Sequence, residues 1–269
     1  MKKIAATLAI LSALLLSSTA HAQSLALNTE TSKEIGLSFA SYQYKEPGLM
    51  SLKGAMFGVE MQGTQAVANE RFVRGEVRYA FGLVDYDSNG TGSASDNQNL
   101  YMEVRVLAGA DYAMRDIVFA PYIGAGYRYL YHDGRGMTNT GFFGYRRESN
   151  YFYVPIGFHH RSRINGQARL AIMAEYDLFL AGTQTSKLSD VDPRNSDFTN
   201  DQTSGYGLKF SVMYTQSKWA IGPYAHYWNI AESNVVPATV MVDGIPTRGR
   251  FIEPANNTVE MGIKASQKF

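Results

Sequence analysis

Strict two-residue alternation constrains this chain more than any other feature. In the last segment Val259, Met261, Ile263 and Ala265 are apolar, while Glu260, Gly262, Lys264 and Ser266 between them are polar or small. Period two belongs to a strand whose faces meet different media. The pattern recurs at Ile35–Phe39, Phe57–Met61, Val77–Leu83, Met102–Ala110, Ile123–Tyr129, Phe152–Phe158, Leu170–Leu178 and Tyr206–Tyr214. WAIGPYAHYWNI, from Trp219, has a strand's composition but aromatic residues on both faces, so its inward side stays open. Ten strands are predicted. VVPATVMV, in the last connection, stays open between loop and extra hairpin, so the strand number is open within two.

The connections between these segments alternate in length. After the second, fourth, sixth and eighth strands stand the short links VANE, RDIV, NG and SK. After the third, fifth, seventh and ninth stand the polar stretches DSNGTGSASDNQ, DGRGMTNTGFFGYRRE, TSKLSDVDPRNSDFTNDQTS and SNVVPATVMVDGIPTRGRFIEP. Only the first hairpin, at Glu46-Pro47-Gly48, is short on the long side. An even strand number with tight turns at one end and long loops at the other predicts an all-β fold, a closed antiparallel transmembrane β-barrel with periplasmic turns and extracellular loops. A strand crosses hydrocarbon only when every backbone group is paired in a closed sheet, so the apolar face is expected to meet lipid and the polar face the lumen. An exported β-sandwich is the soluble rival, but its outward faces would be polar.

MKKIAATLAILSALLLSSTAHAQS opens with two lysines, an apolar run and an Ala-His-Ala site, the pattern of a secretory signal peptide over residues 1–22. The barrel domain is then expected over 23–269, and the location is the bacterial cell outer membrane. Without Lys2 and Lys3, 23 basic residues face 24 acidic ones, a balance that argues against nucleic acid as partner. The absence of cysteine excludes disulfides, thiolate metal sites and a lipidated cysteine. After the leader no apolar run reaches the roughly 18 residues that a spanning helix needs.

The inward positions carry Arg74, Glu76, Arg78, Glu103, Arg105, Asp111, Arg128, Glu175, Asp177, Lys209, Glu260 and Lys264. Acids and bases are nearly balanced there and can pair across the lumen. A barrel of this size is about filled by its own side chains, so a plugged lumen is expected, with a narrow channel for ions or small solutes as the alternative. GFFGYRR places Phe142, Phe143, Tyr145, Arg146 and Arg147 on an outer loop, where aromatic residues and arginine could meet an extracellular ligand, cap the barrel mouth or touch lipopolysaccharide. DYDSNGTGSASD fits a calcium-loop spacing through Asp85, Asp87, Asn89 and Gly90, with Asp96 in place of the terminal glutamate. Calcium is the only cofactor the sequence suggests. Asp, Asn and Gly are also ordinary loop residues. His160-Arg161-Ser162 has the His-x-Ser spacing of a lipid A deacylase barrel, but it abuts the Asn165-Gly166 turn and so falls at the periplasmic rim. No Gly-x-Ser-x-Gly elbow appears, no catalytic residues are assigned, and a non-enzymatic protein is expected.

EPGLMSLKG, YIGAGYRYLYHD, RRESNYFYVPIGF, LSDVDP, SGYGLKF and YAHYWNI together resemble a widespread group of small proteobacterial outer-membrane β-barrel proteins of the porin-like and adhesin-like kind. The resemblance covers most of the chain after the leader and implies fold and location without any functional residues. Phe269 looks like the C-terminal signal by which barrel proteins are recognised by the insertion machinery. Outer-membrane lipid and lipopolysaccharide are the remaining partners so implied.

Overall fold

A computed structural model describes residues 26–68 and 70–269. The leader expected at residues 1–22 lies outside them. The strands, in chain order, are β1 (Ser32–Glu46), β2 (Met50–Val67), β3 (Arg71–Ser88), β4 (Gly92–Ala110), β5 (Tyr112–Met114), β6 (Ile117–Met137), β7 (Phe143–Asn165), β8 (Ala168–Ser186), β9 (Phe198–Gln202), β10 (Gly205–Gln216), β11 (Trp219–Ile230), β12 (Val235–Val242), β13 (Ile245–Ile252) and β14 (Asn256–Lys268). A 3-10 turn covers Leu188–Asp190. Among the described residues no helix is long and apolar enough to cross a membrane, which says nothing about crossing by strands.

Ten strands close a cylinder. The antiparallel order runs β1-β2-β3-β4-β6-β7-β8-β10-β11-β14, and β14 pairs back to β1 from Lys45↔Asn257 to Glu34↔Lys268. Closure removes the free edge that would leave backbone groups unpaired in lipid. At the seam the Phe269 N–H donates to the Lys33 carbonyl at 2.8 Å. β5 adds three residues to β6, β9 adds five to β8, and β12 with β13 forms a separate hairpin. VVPATVMV is therefore the first strand of an extra hairpin beyond the barrel.

The alternation predicts which side faces out. Phe39, Val106, Ile123, Phe152, Ile221, Met261 and Ile263 are exposed on the outer wall, while Tyr42, Tyr101, Tyr122, Tyr153, Glu103 and Glu260 on the opposite faces are buried. Outer-wall aromatic rings pair between neighbouring strands, Tyr127 with Phe152 at 5.1 Å and Tyr176 with Tyr206 at 6.1 Å toward the long-loop end, and Phe119 with Phe158 at 5.1 Å toward the short-turn end. β11 also resolves: Tyr224, His226 and Trp228 point inward, while Ile221 and Tyr227 face out.

The long connections depart from expectation. DSNGTGSASDNQ and DGRGMTNTGFFGYRRE are mostly ladder: β3 runs to Ser88, β4 starts at Gly92, β6 runs to Met137 and β7 starts at Phe143. β6 and β7 reach 21 and 23 residues, about twice the 9–11 that a crossing requires. Two hairpins thus continue past the apolar belt. There the outward face meets water in place of lipid and the inward face is polar, so the apolar alternation vanishes, and the segments read as loops although their backbones stay paired.

Candidate functional site in the lumen

Register builds the lumen. Glu60, Arg78, Glu103 and Arg128 stand directly opposite one another across β2, β3, β4 and β6, so four adjacent strands present acid, base, acid, base in one row. Below that row Glu76 faces Arg105, and on the far wall Glu175 faces Lys209. Opposite charges set across neighbouring strands attract, where like charges would repel.

The twelve charged positions expected in the lumen are inward, and nine of them converge into two knots, while Arg74 and Asp111 sit nearer the short turns and Arg128 lies among aromatic rings. Arg78 pairs with Glu260 and lies 3.4 Å from Glu60, which also accepts from Lys264 at 2.8 Å. Tyr101 and Tyr224 donate to Glu260 at 2.5 and 2.6 Å, so its carboxylate is fully used. Arg105 joins Glu76 at 2.6 Å to Glu175, which also accepts from Tyr122 at 2.7 Å. Lys209 donates to Glu103 at 2.5 Å and lies 3.3 and 3.4 Å from Glu175 and Asp177. A buried charge is tolerable only with such partners. Asp111 accepts from the Thr29 hydroxyl at 2.8 Å and from Arg161 at 3.2 Å.

Above the knots, toward the long loops, aromatic rings close the bore. Arg128 stacks over Tyr101 and Trp228, 4.6 and 5.3 Å from the ring centroids, and Tyr153 meets Trp228 edge-on at 5.1 Å. These four side chains are at most 2% exposed. The ring of Tyr153 lies where a Cβ on its register partner Gly126 would come within 2.2 Å, so glycine at 126 lets the ring lie flat over β6. Below the plate a cavity of about 190 Å³ opens toward the short turns.

At the opposite mouth Arg147 donates to Glu46 at 2.5 Å and pairs with Glu253, while the Tyr44 hydroxyl donates to either carboxylate at 3.0 Å. Glu253 belongs to the connection carrying β12 and β13, so this cluster ties that hairpin to the barrel. Arg146, on the opposite face of β7, donates to Asp190 at 2.8 Å with both its Nε and Nη2. Of the five GFFGYRR residues, only Phe142 and Phe143 are exposed. Both arginines are committed to acids of the protein, Arg147 inside the mouth and Arg146 on the outer face with 35% of its side chain exposed, because the segment continues β7 and its alternate side chains point to opposite faces.

The calcium spacing does not form a loop. Asp85 and Asp87 lie within β3, Asn89 donates to the Gly48 carbonyl at 2.8 Å, and Asp85 accepts from the Asp96 backbone N–H at 3.2 Å. Among the described residues no three His, Cys, Asp or Glu side chains gather to hold a metal. The ladder separates residues that a calcium loop would wrap around one point. His160 and Ser162 are outward positions of β7, opposite Phe119 and Ile117, so the inward neighbours are His159 and Arg161.

Tyr44, Glu46, Tyr153, Trp228, Arg161 and Glu253 shape the lumen and its mouth but do not stand out in the sequence pattern. A tyrosine at an inward position of the alternation was the available signal for Tyr44 and Tyr153. Glu253 carried none, since it arrives from a distant loop.

No protein-family model matches the chain, and a comparison with curated proteins gives no match. Among solved structures the chain is similar to the outer membrane protease OmpT from Escherichia coli, with 10% identity over 93% of this chain and 100% of that one, at a TM-score of 0.60. It also matches the translocator domain of autotransporter NalP from Neisseria meningitidis, with 10% identity over 90% of each chain, at a TM-score of 0.42 too low to carry weight. At such identity the OmpT likeness speaks for the fold alone: this is the fold of a bacterial outer-membrane β-barrel.

Proposed function

We propose that the chain is an integral protein of the bacterial outer membrane with a closed, non-conducting lumen, acting without catalysis through its long-loop end. The observation that carries this reading is the plate of Arg128, Tyr101, Tyr153 and Trp228 across the bore. Short turns then face the periplasm and the extended hairpins face outside. The exposed apolar side chains Phe142, Phe143, Val242 and Ile245 at that end are available to an extracellular partner or to lipopolysaccharide. Neither cofactor nor nucleic acid enters the reading.

A narrow channel is the second reading, favoured by the cavity below the plate. Planar-bilayer recording separates the two. Wild-type protein is expected to be silent, and a Tyr153→Ala/Trp228→Ala double variant to give unitary currents. Steady wild-type currents would reverse the assignment.

A further inference from the structure

The cavity at the short-turn end is unevenly charged. Nine of its lining side chains are cationic and five anionic, and three further carboxylates, Asp111, Glu175 and Glu260, back the wall by pairing with Arg161, Arg105 and Arg78. Lys209, Lys264 and Lys268 pair with Glu103, Glu60 and Glu30. Once these pairs are set aside, two guanidinium groups stand out.

Arg169 has no carboxylate within 4 Å among the described residues. Its Nη1 donates to the Ala26 carbonyl at 2.6 Å, and its buried Nε has no partner. Arg74 lies 3.8 Å from Glu76, a carboxylate already held by Arg105 at 2.6 Å. It donates through Nε to Thr64 at 3.0 Å and through Nη1 to His159 Nε2 at 3.0 Å, which leaves Nη2 free of any protein acceptor among the described residues. Arg161 completes the wall. It is an inward residue of β7 facing Ala171, two positions along β8 from Arg169, so the two are diagonal neighbours on the same face. Like charges this close repel one another. Glu34, a lining carboxylate without an ion pair among the described residues, accepts from Gln62 at 2.8 Å.

A guanidinium offers five donors in a planar fork that matches an oxyanion. In the cavity most of those belonging to Arg169 are unused, and Arg161 uses its own on Leu27, Thr29 and Asp111. The backbone carbonyls of Ala26 and Leu27 thus already act as acceptors for this arginine wall. A cavity of about 190 Å³ holds a tetrahedral oxyanion with its first waters, and the opening lies at the end that the proposed orientation puts in the periplasm.

We propose that this blind vestibule is a binding site for a small oxyanion, phosphate or a similarly compact polyanion, held by Arg74, Arg161 and Arg169. The site is independent of what the long loops do. Calorimetric titration of the refolded, detergent-solubilised full mature chain with sodium phosphate, against sodium chloride at matched ionic strength, tests it. Saturable phosphate binding is expected, weakened about tenfold or more by Arg169→Gln, as loss of a charge-assisted contact predicts. Lys218→Gln, at the rim, is expected to change it less than about twofold. Folding of each variant is checked by heat-modifiable migration in gels, and Arg74→Gln replaces Arg169→Gln should the latter not refold. Phosphate heats no different from chloride, or full-strength binding by a folded Arg169→Gln or Arg74→Gln variant, would overturn the proposal.

Discussion

Arg147 shows how one side chain joins distant parts of the chain. Its guanidinium serves Glu46 at the end of β1 and Glu253 after β13, with Tyr44 bridging the two carboxylates. Both acids are buried, at 6 and 5% exposure, so removing the cation leaves two desolvated negative charges side by side. Breaking one partner of such a buried pair costs about 3–5 kcal/mol, more than the pair itself contributes. Arg147→Ala is expected to free the connection from Ser233 to Pro254 and expose it to trypsin at Arg248 and Arg250. Arg147→Lys should rescue partly, since an ammonium keeps the charge but cannot fork to two acids. Equal cleavage rates in wild type and Arg147→Ala would show that the hairpin is held by something else.

At the scale of an element, the segment Lys187–Ser204 is fastened rather than free. The Arg146 side chain and backbone N–H both donate to Asp190, and these bonds hold its carboxyl below the ordinary carboxylate value although burial pushes the other way. Asp192 is held at about 2 by hydrogen bonds from the side chain and backbone of Arg194. The sign follows from linkage. A carboxyl whose folded value is depressed contributes stability above its unfolded value, about 3.9, and loses that contribution as pH falls through the folded one. Amide protection over 188–197, corrected for intrinsic exchange, should therefore be equal at pH 7 and 5 and lower near pH 2. Asp190→Asn should lower it already at pH 7. Unchanged protection in that variant would mean that β9 and the bonds of Asn195 and Ser196 to β12 hold the segment without Asp190. The stretch also shows what sequence cannot give. Membrane strands announce themselves because lipid and lumen demand different side chains at alternate positions, whereas the buried face of β9 is polar, Asn200 and Gln202, and beyond the apolar belt β3, β4, β6 and β7 have polar side chains inward and water outward. Nothing in their composition marks the ladder, so the calcium spacing of Asp85, Asp87, Asn89 and Asp96 looked like a loop.

For the whole molecule, the cylinder is legible because period two is all-or-none: a slip of one residue would turn every lipid-facing side chain into the lumen and every ionic one into lipid. The lumen's twelve charges followed from that rule. The plate of Arg128 with Tyr101, Tyr153 and Trp228 did not, since it depends on which rings cross a bore whose curvature only the closed sheet defines. Neighbouring positions on β14 put the rule to a direct test. Lys264 is inside, 2.8 Å from Glu60, and Ile263 is outside, 60% exposed among the lipid-facing residues. Ile263→Lys adds a second ammonium one residue away, in hydrocarbon where the first is at a paired site. Near the bilayer midplane such a lipid-facing lysine costs about 2–4 kcal/mol. Equilibrium urea unfolding in phosphatidylcholine vesicles should show that loss for Ile263→Lys, whereas a conservative outward change such as Ile263→Leu should lie within about 1 kcal/mol of wild type. A lysine tolerated at 263 as well as it is at 264 would mean that the outer wall does not meet lipid, and the membrane reading of the cylinder would fail with it.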